Sequence, residues 1–201
     1  MARAGARASG PGFVFSWRAR CRARAGKLIV TVSVRDARAS EADRQWIERV
    51  YRDYLDDLAP LNTGIFPVLG EVGHREHDQI ARWFGDPNSY PLLIAQGREP
   101  VGFAMVARVV AQAAAKAASA IDFRMSEFFI SRPHRRLGLG RGAVQLILDR
   151  FAGRWEIREY LRNPDAVNFW RRVVGGYTRG NYDERVVNGE VRQVFSSGAR
   201  R

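Results

Sequence analysis

A run of closely spaced glycines, set between an apolar strand and an amphipathic helix, constrains this chain more than any other feature. Residues 123–153 read FRMSEFFISRPHRRLGLGRGAVQLILDRFAG. Met125, Phe128, Phe129 and Ile130 mark the strand, and Arg132-Pro133-His134-Arg135-Arg136 makes a basic turn. Gly138-Leu139-Gly140-Arg141-Gly142 follows, and then Val144, Ile147, Leu148 and Phe151 recur at the spacings of a helix face. Where a glycine loop opens a helix, successive backbone N–H groups point at one anion. No Cβ blocks the approach, and the helix N-terminus adds partial positive charge. Arg135, Arg136 and Arg141 bring formal charge to the same place. The stretch reads as a site for phosphate or pyrophosphate.

A chain of 201 residues with 46% apolar content suits one globular domain with a real core. No apolar run approaches the roughly 18 residues of a membrane span. Phe13-Val14-Phe15 is too short for the apolar part of a signal peptide, so the expected compartment is the cytoplasm, with no membrane partner. Cys21 is the single cysteine, which excludes an internal disulfide and a thiolate zinc site. The net charge of +12 suggests nucleic acid. Against that, seven of the 33 basic residues fall within the first 27 positions, where no acid occurs, and the remainder is mildly basic. A solvated charge run is the commoner reading, and nucleic acid is not the expected partner.

In chain order, residues 1–26 read as a flexible basic tail, 27–197 as one domain and 198–201 as a short C-terminal tail. Leu28 to Val34 alternates as a strand. Ser40 with Asp43 opens a helix carrying Trp46, Ile47, Val50, Tyr54, Leu55 and Leu58, ended by Ala59-Pro60. Residues 61–73 read as a loop and His74 to Phe84 as a second helix. Pro91 to Gln96 and Val101 to Val110 form a hairpin around Gly97-Arg98-Glu99-Pro100. The alanine run from Ala111 to Ala120 fits either a helical turn or a connector. Beyond the glycine helix, Trp155 to Leu161 is a strand, and Asn163-Pro164 starts a helix that Gly175-Gly176 should stop. Tyr177 to Val187 and Glu190 to Phe195 flank the hairpin turn Asn188-Gly189. The expected order is β-α-α-β-β-β-α-β-α-β-β.

Three phosphate binders compete. A P-loop is excluded, because no lysine or hydroxyl follows the glycines. A dinucleotide fold would use Gly138, Gly140 and Ala143, with Glu156 on the ribose. Its fingerprint should follow the strand directly, yet six mostly polar residues separate Ile130 from Leu137, among hairpins and not repeated βαβ units. The third reading fits best. Arg135-x-x-Gly138-x-Gly140 after an apolar strand resembles the acetyl-CoA signature of the GNAT superfamily of N-acetyltransferases. Asn163, Ala166, Phe169 and Trp170 stand at the spacing of that family's Asn-x-x-Ala-x-x-Phe-Tyr helix, and the likeness covers about residues 28–195.

The resemblance implies an α+β fold whose mixed, mostly antiparallel sheet splays between its fourth and fifth strands, flanked by about four helices. It implies acetyl-CoA as cosubstrate, and acetyl transfer to a primary amine by direct attack in a ternary complex. The backbones of Phe128, Phe129 and Ile130 would pair with the pantetheine arm, and the segment Arg135, Arg136, Leu137, Gly138, Leu139, Gly140 and Arg141 would hold the pyrophosphate. Asn163, Phe169 and Trp170 would flank the cysteamine end. Where many members carry a tyrosine that protonates the leaving thiolate, this chain has Trp170, whose indole is far too weak an acid. The catalytic candidates are Glu127 as general base, with Asp122 in reserve, and Tyr177 or Tyr160 as acid. His134 reads as a phosphate neighbour; His74 and His77 read as surface residues, so no metal is expected. A small-molecule or peptide amine is the implied acceptor, drawn in by Asp56, Asp57 or Glu71 beside a groove at residues 58–75. A homodimer is the family-based expectation. A non-catalytic acyl-CoA-binding protein of the same fold is the alternative that Trp170 raises.

Overall fold

The computed structural model describes residues 15–18, 31–61, 72–110 and 120–198, with the backbone alone over 15–18, 61 and 72–78. In chain order the strands and helices are β1 (Phe15–Arg18), β2 (Thr31–Asp36), α1 (Glu41–Leu58), α2 (Val72–Gly85), β3 (Ser89–Gln96) and β4 (Glu99–Arg108). They continue with β5 (Phe123–Ile130), α3 (Leu139–Arg150), β6 (Arg154–Tyr160), α4 (Pro164–Thr178), β7 (Asp183–Val187) and β8 (Glu190–Ser196). The expected order holds from β2 onward. Within the stretch read as tail, Phe15–Arg18 pairs antiparallel with β2 as an edge strand. The splaying strands, fourth and fifth by the sequence reading, are therefore β5 and β6.

The sheet runs β1-β2-β3-β4-β5-β6-β8-β7, and β5–β6 is its parallel pair. A doubly wound dinucleotide fold needs a run of parallel strands, so that reading fails. Strand alternation divides the core in two. On one face Val106, Met125, Trp155 and Ile157 meet Val144, Ile147 and Leu148 of α3 and Val173 and Val174 of α4. On the other, Leu93, Phe103, Met105 and Phe129 meet Ile47 and Tyr51 of α1 and Ile80 of α2. Trp155 and Phe103 are fully buried, each contributing about 2–3 kcal/mol through apolar area removed from water.

The caps act as their side chains dictate. Ser40 accepts from the Asp43 N–H at 3.3 Å, while Asp43 itself is held by Arg35. Asn163 accepts from the Ala166 N–H at 3.1 Å and seats Pro164 in the first turn. Two boundaries differ from expectation. Gly175-Gly176 does not stop α4, which runs on to Thr178 because Val174 and Tyr177 stay buried on the same face. The helix ends instead at Arg179, in the left-handed region at φ 57°, with the Gly180 N–H returning to the Gly175 carbonyl at 2.9 Å. Tyr177 and Thr178 are thus helical, and the strand expected from Tyr177 begins at Asp183. Asn188 (φ 53°) and Gly189 (φ 78°) make the left-handed two-residue turn their identities predict. Most of the alanine run, 111–119, and residues 62–71 of the expected acceptor loop lie outside the described residues.

Candidate active site

The site begins where two neighbouring strands stop pairing. β5 and β6 are matched only at Phe123–Trp155, Arg124–Glu156 and Met125–Ile157. Beyond that point β6 stays on β8, through Arg158–Arg192, Glu159–Val191 and Tyr160–Glu190, while β5 stays on β4. A bulge helps to part them. Val106 faces Met125 but Met105 faces Glu127, which leaves Ser126 as an extra residue, and bulges bend and twist a strand. Aromatic rings from α4 fill the opening: Phe128 stacks on Phe169 at 5.7 Å and meets Trp170 edge-on at 5.4 Å. The parted strands border a cleft of about 1060 Å³.

The bulge also re-aims Glu127. Plain alternation from Phe123 and Met125 would turn it toward α3 and α4. With Ser126 inserted, it joins Phe129 on the α1 face, where the Tyr54 hydroxyl donates a hydrogen bond to its carboxylate. Burial pushes the Glu127 carboxyl up to about 7, and the hydrogen bond from Tyr54 only partly offsets this. Burial, reinforced by the Glu127 charge, raises the Tyr54 hydroxyl well above its ordinary value, so Tyr54 stays a donor.

The glycine loop borders the same cleft. Gly138 sits at φ 81° as the N-cap of α3 and offers no capping side chain to the first-turn N–H groups. Gly140 serves a different need: a Cβ there would lie 3.3 Å from the Phe169 ring and 3.5 Å from Ile130. Arg136, at φ 63°, turns the chain into the loop. Arg135 is committed to the scaffold. Its Nε donates to the Ile130 carbonyl at 2.7 Å, its guanidinium lies over Phe129, and with Arg132 it pairs to Asp57 at the end of α1. Burial pushes the Asp57 carboxyl up, but hydrogen bonds from these two arginines outweigh it and hold the group below the usual carboxylate range. Asp57 is thus a latch between α1 and the loop, with its charge already matched.

Of the donor-side residues named from sequence, all but two line the cleft. Leu137 is 52% exposed outside it, and Leu139 is buried in the core beneath the loop. Among the catalytic candidates the structure brings Glu127 and Tyr160 to the cleft, and leaves Tyr177 and Asp122 outside. The Tyr177 ring is buried two turns beyond Trp170, toward the C-terminal end of α4, with its hydroxyl donating to Asp149 at 2.7 Å, and Asp122 accepts from the Arg154 N–H at 2.7 Å. His134 borders the cleft, 2.8 Å from the Ser131 hydroxyl through Nδ1. His74 and His77 begin α2, where the backbone alone is described.

Two cleft residues escaped the sequence reading of the site. The helical spacing puts Tyr54 among the apolar positions of α1, and nothing in the sequence shows that its hydroxyl reaches β5. Glu159 left a usable signal: Trp155-x-Ile157-x-Glu159 puts it on the strand face of two core residues, where it is half-buried. Burial pushes its carboxyl up to about 8.

Comparison with known proteins agrees with this geometry. An acetyltransferase structure from Thermus thermophilus superposes with a TM-score of 0.58 at 18% identity, covering 82% of this chain and 96% of that one. The PaiA N-acetyltransferase of Thermoplasma acidophilum, solved with coenzyme A, gives 0.53 at 10% identity over 82% and 98%. The ribosomal-protein-S18-alanine N-acetyltransferase of Escherichia coli gives 0.52 at 10% identity over 84% and 96%. At these identities the likeness is one of fold. No curated protein matches the sequence. The sequence model of the acetyltransferase (GNAT) family, however, matches residues 47–175, more than half of the 201, and so the chain belongs to the GNAT family of acetyltransferases.

Proposed function

We propose that this protein is an N-acetyltransferase that uses acetyl-CoA to acylate a primary amine by direct attack in a ternary complex. The observation that carries the reading is the parting of β5 from β6, with the half-buried Glu127 carboxyl on one side of the cleft and an uncapped glycine-opened helix on the other. The residues present fit the cosubstrate. The N–H groups at the start of α3, with Arg136 and Arg141 beside them, would hold its pyrophosphate. The backbone of Phe128, Phe129 and Ile130 would take its extended arm, and Asn163, Phe169 and Trp170 would border its thiol end. The bound cosubstrate supplies an activated acyl thioester. Glu127 removes the proton that an ammonium carries at neutral pH, which it can do because its pKa lies near the working pH.

Calorimetric titration of the protein with acetyl-CoA tests this, beside a Gly138→Trp, Gly140→Trp double variant and a screen of alkylamines and N-terminal peptides as acceptors. Micromolar binding that the variant loses, with turnover of an amine, supports the reading. Absence of acetyl-CoA binding ends it. Trp170 in place of a tyrosine favours a second reading, a non-catalytic acyl-CoA binder. Tight binding with no acetyl transfer to any amine would establish that one instead.

A further inference from the structure

Glu159 projects from the free end of β6, past the last residue that pairs with β5. Alternation puts it on the face of Trp155 and Ile157, toward α4, and its side chain lines the cleft between the strands. Trp170, itself only 3% exposed, lines the same cleft, and the pull of its indole N–H on the Glu159 carboxyl opposes the effect of burial. Trp170 also touches Phe128, three residues beyond the last β5 residue that pairs with β6. The position that carries a phenol in much of the family thus carries an indole in the same cleft as a carboxyl group.

We propose that Glu159, oriented by Trp170, is the proton donor to the departing thiolate. The inference rests on the acetyl-transfer reading above. Glu127 takes a proton from the acceptor ammonium, and the amine nitrogen bonds to the acyl carbon. The carbon–sulfur bond breaks with its electron pair on sulfur, and the Glu159 proton passes to that sulfur to give the thiol. The second proton, shed by nitrogen as the amide forms, restores Glu159 through solvent in the cleft, so one proton leaves by way of Glu127. The environments suit two opposite roles. Glu127, reached by Tyr54, is the lower of the pair; Glu159 is the higher, raised by burial and by the Glu127 charge against the pull of Trp170. The groups facing Glu159 are Trp170 from α4, Glu127 from β5, Tyr54 from α1 and Tyr160 beside it; across β8 it meets Val191. Because the two carboxyls interact, their titrations belong to the pair.

The test compares wild type, Glu159→Gln and Trp170→Phe in acetyl transfer between pH 6 and 10, with calorimetric acetyl-CoA affinity and carbon-13 NMR of the glutamate carboxyls as readouts independent of turnover. Wild type should lose rate as pH rises through about 8, and NMR should show one carboxyl titrating there that Glu159→Gln lacks. Glu159→Gln should keep its acetyl-CoA affinity, lose on the order of 10²-fold or more in kcat, and lose the alkaline fall. An acetyl ester of an acidic aryl thiol, whose leaving group needs no proton, should bring that variant to within ~3-fold of wild type. Trp170→Phe removes a hydrogen bond that favours the carboxylate, so its alkaline limb should move to higher pH. A Glu159→Gln enzyme with the wild-type rate and limb overturns the proposal. So does a defect that the aryl thioester leaves unrelieved, which would mark a structural role. Should Glu159→Gln not fold, the Trp170→Phe limb and the wild-type titration decide. Wild type that binds acetyl-CoA but acylates no amine removes the transfer reading and this inference together.

Discussion

Glu127 owes its chemistry to a single extra residue. With Ser126 bulged out, its carboxylate faces Tyr54 across an apolar floor of Phe103 and Phe129, where an ion is costly and a proton is retained to about pH 7. Replacing it with glutamine should reduce kcat by a factor on the order of 10² to 10⁴ and leave acetyl-CoA affinity unchanged, as steady-state kinetics beside calorimetry would show. On the proposed mechanism transfer should climb as pH rises through about 7, since Glu127 would act as base once deprotonated. The Tyr54 hydrogen bond lowers that pKa, so Tyr54→Phe should raise it and carry the ascending limb of the pH–rate profile to higher pH. A limb that stays in place would show that Tyr54 does not tune the base. The same shift bears on stability. A carboxyl whose folded pKa is raised stabilises the fold fully below its unfolded value near 4.5, and that contribution is lost as pH rises through 7. Thermal melts at pH 8 should therefore find Glu127→Gln more stable than wild type, by on the order of 2 kcal/mol.

At the scale of elements, the glycine loop combines two constraints that look identical in sequence. Gly138 is needed for its backbone, at φ 81°, and Gly140 for the space it leaves to Phe169 and Ile130. Gly138→Ala should cost about 1 kcal/mol of stability through left-handed strain. Gly140→Ala carries no such strain and must push on the Phe169 ring, so its cost should appear as weaker acetyl-CoA binding. Melting curves and titrations of the two variants would separate these effects; equal behaviour in both would refute the division. The Asp57 latch is the other device at this scale. Asp57→Asn should leave α1 folded yet loosen the basic turn held by Arg132 and Arg135, lowering stability by about 1 kcal/mol and cosubstrate affinity with it. The turn was legible in sequence as basic, and so assigned to phosphate. That an acid at the end of α1 would claim Arg135 was not legible, because the pair is 78 residues apart.

For the whole molecule, the two cores and the mixed sheet place Tyr54 of α1 and the glycine loop that opens α3 on the same cleft. β1 is marginal to that arrangement, an edge strand pairing only with β2. A chain begun at Lys27 should therefore keep wild-type acetyl-CoA affinity while shedding salt-dependent adhesion to nucleic acid that the six arginines of residues 1–26 would cause. Affinity lost on truncation would count against residues 27–197 as a self-sufficient domain.

Local chemistry on its own determined most of the architecture. Alternating β-branched residues, the Ser40 and Asn163 caps, the Asn188-Gly189 turn and the spaced glycines each state a backbone preference within a few residues, so strands, helices and the anion loop could be read in order. Three outcomes needed tertiary contacts. α4 ran through Gly175-Gly176 because burying Tyr177 outweighs a weak local stop signal. The sheet parts at Met125 beside a one-residue register slip against β4, which no local preference states before the strands pair. And Glu127 met Tyr54 as Glu159 met Trp170 only because four distant segments converge on that gap, where exclusion of water, a property no segment has alone, sets the acidity of both carboxyls.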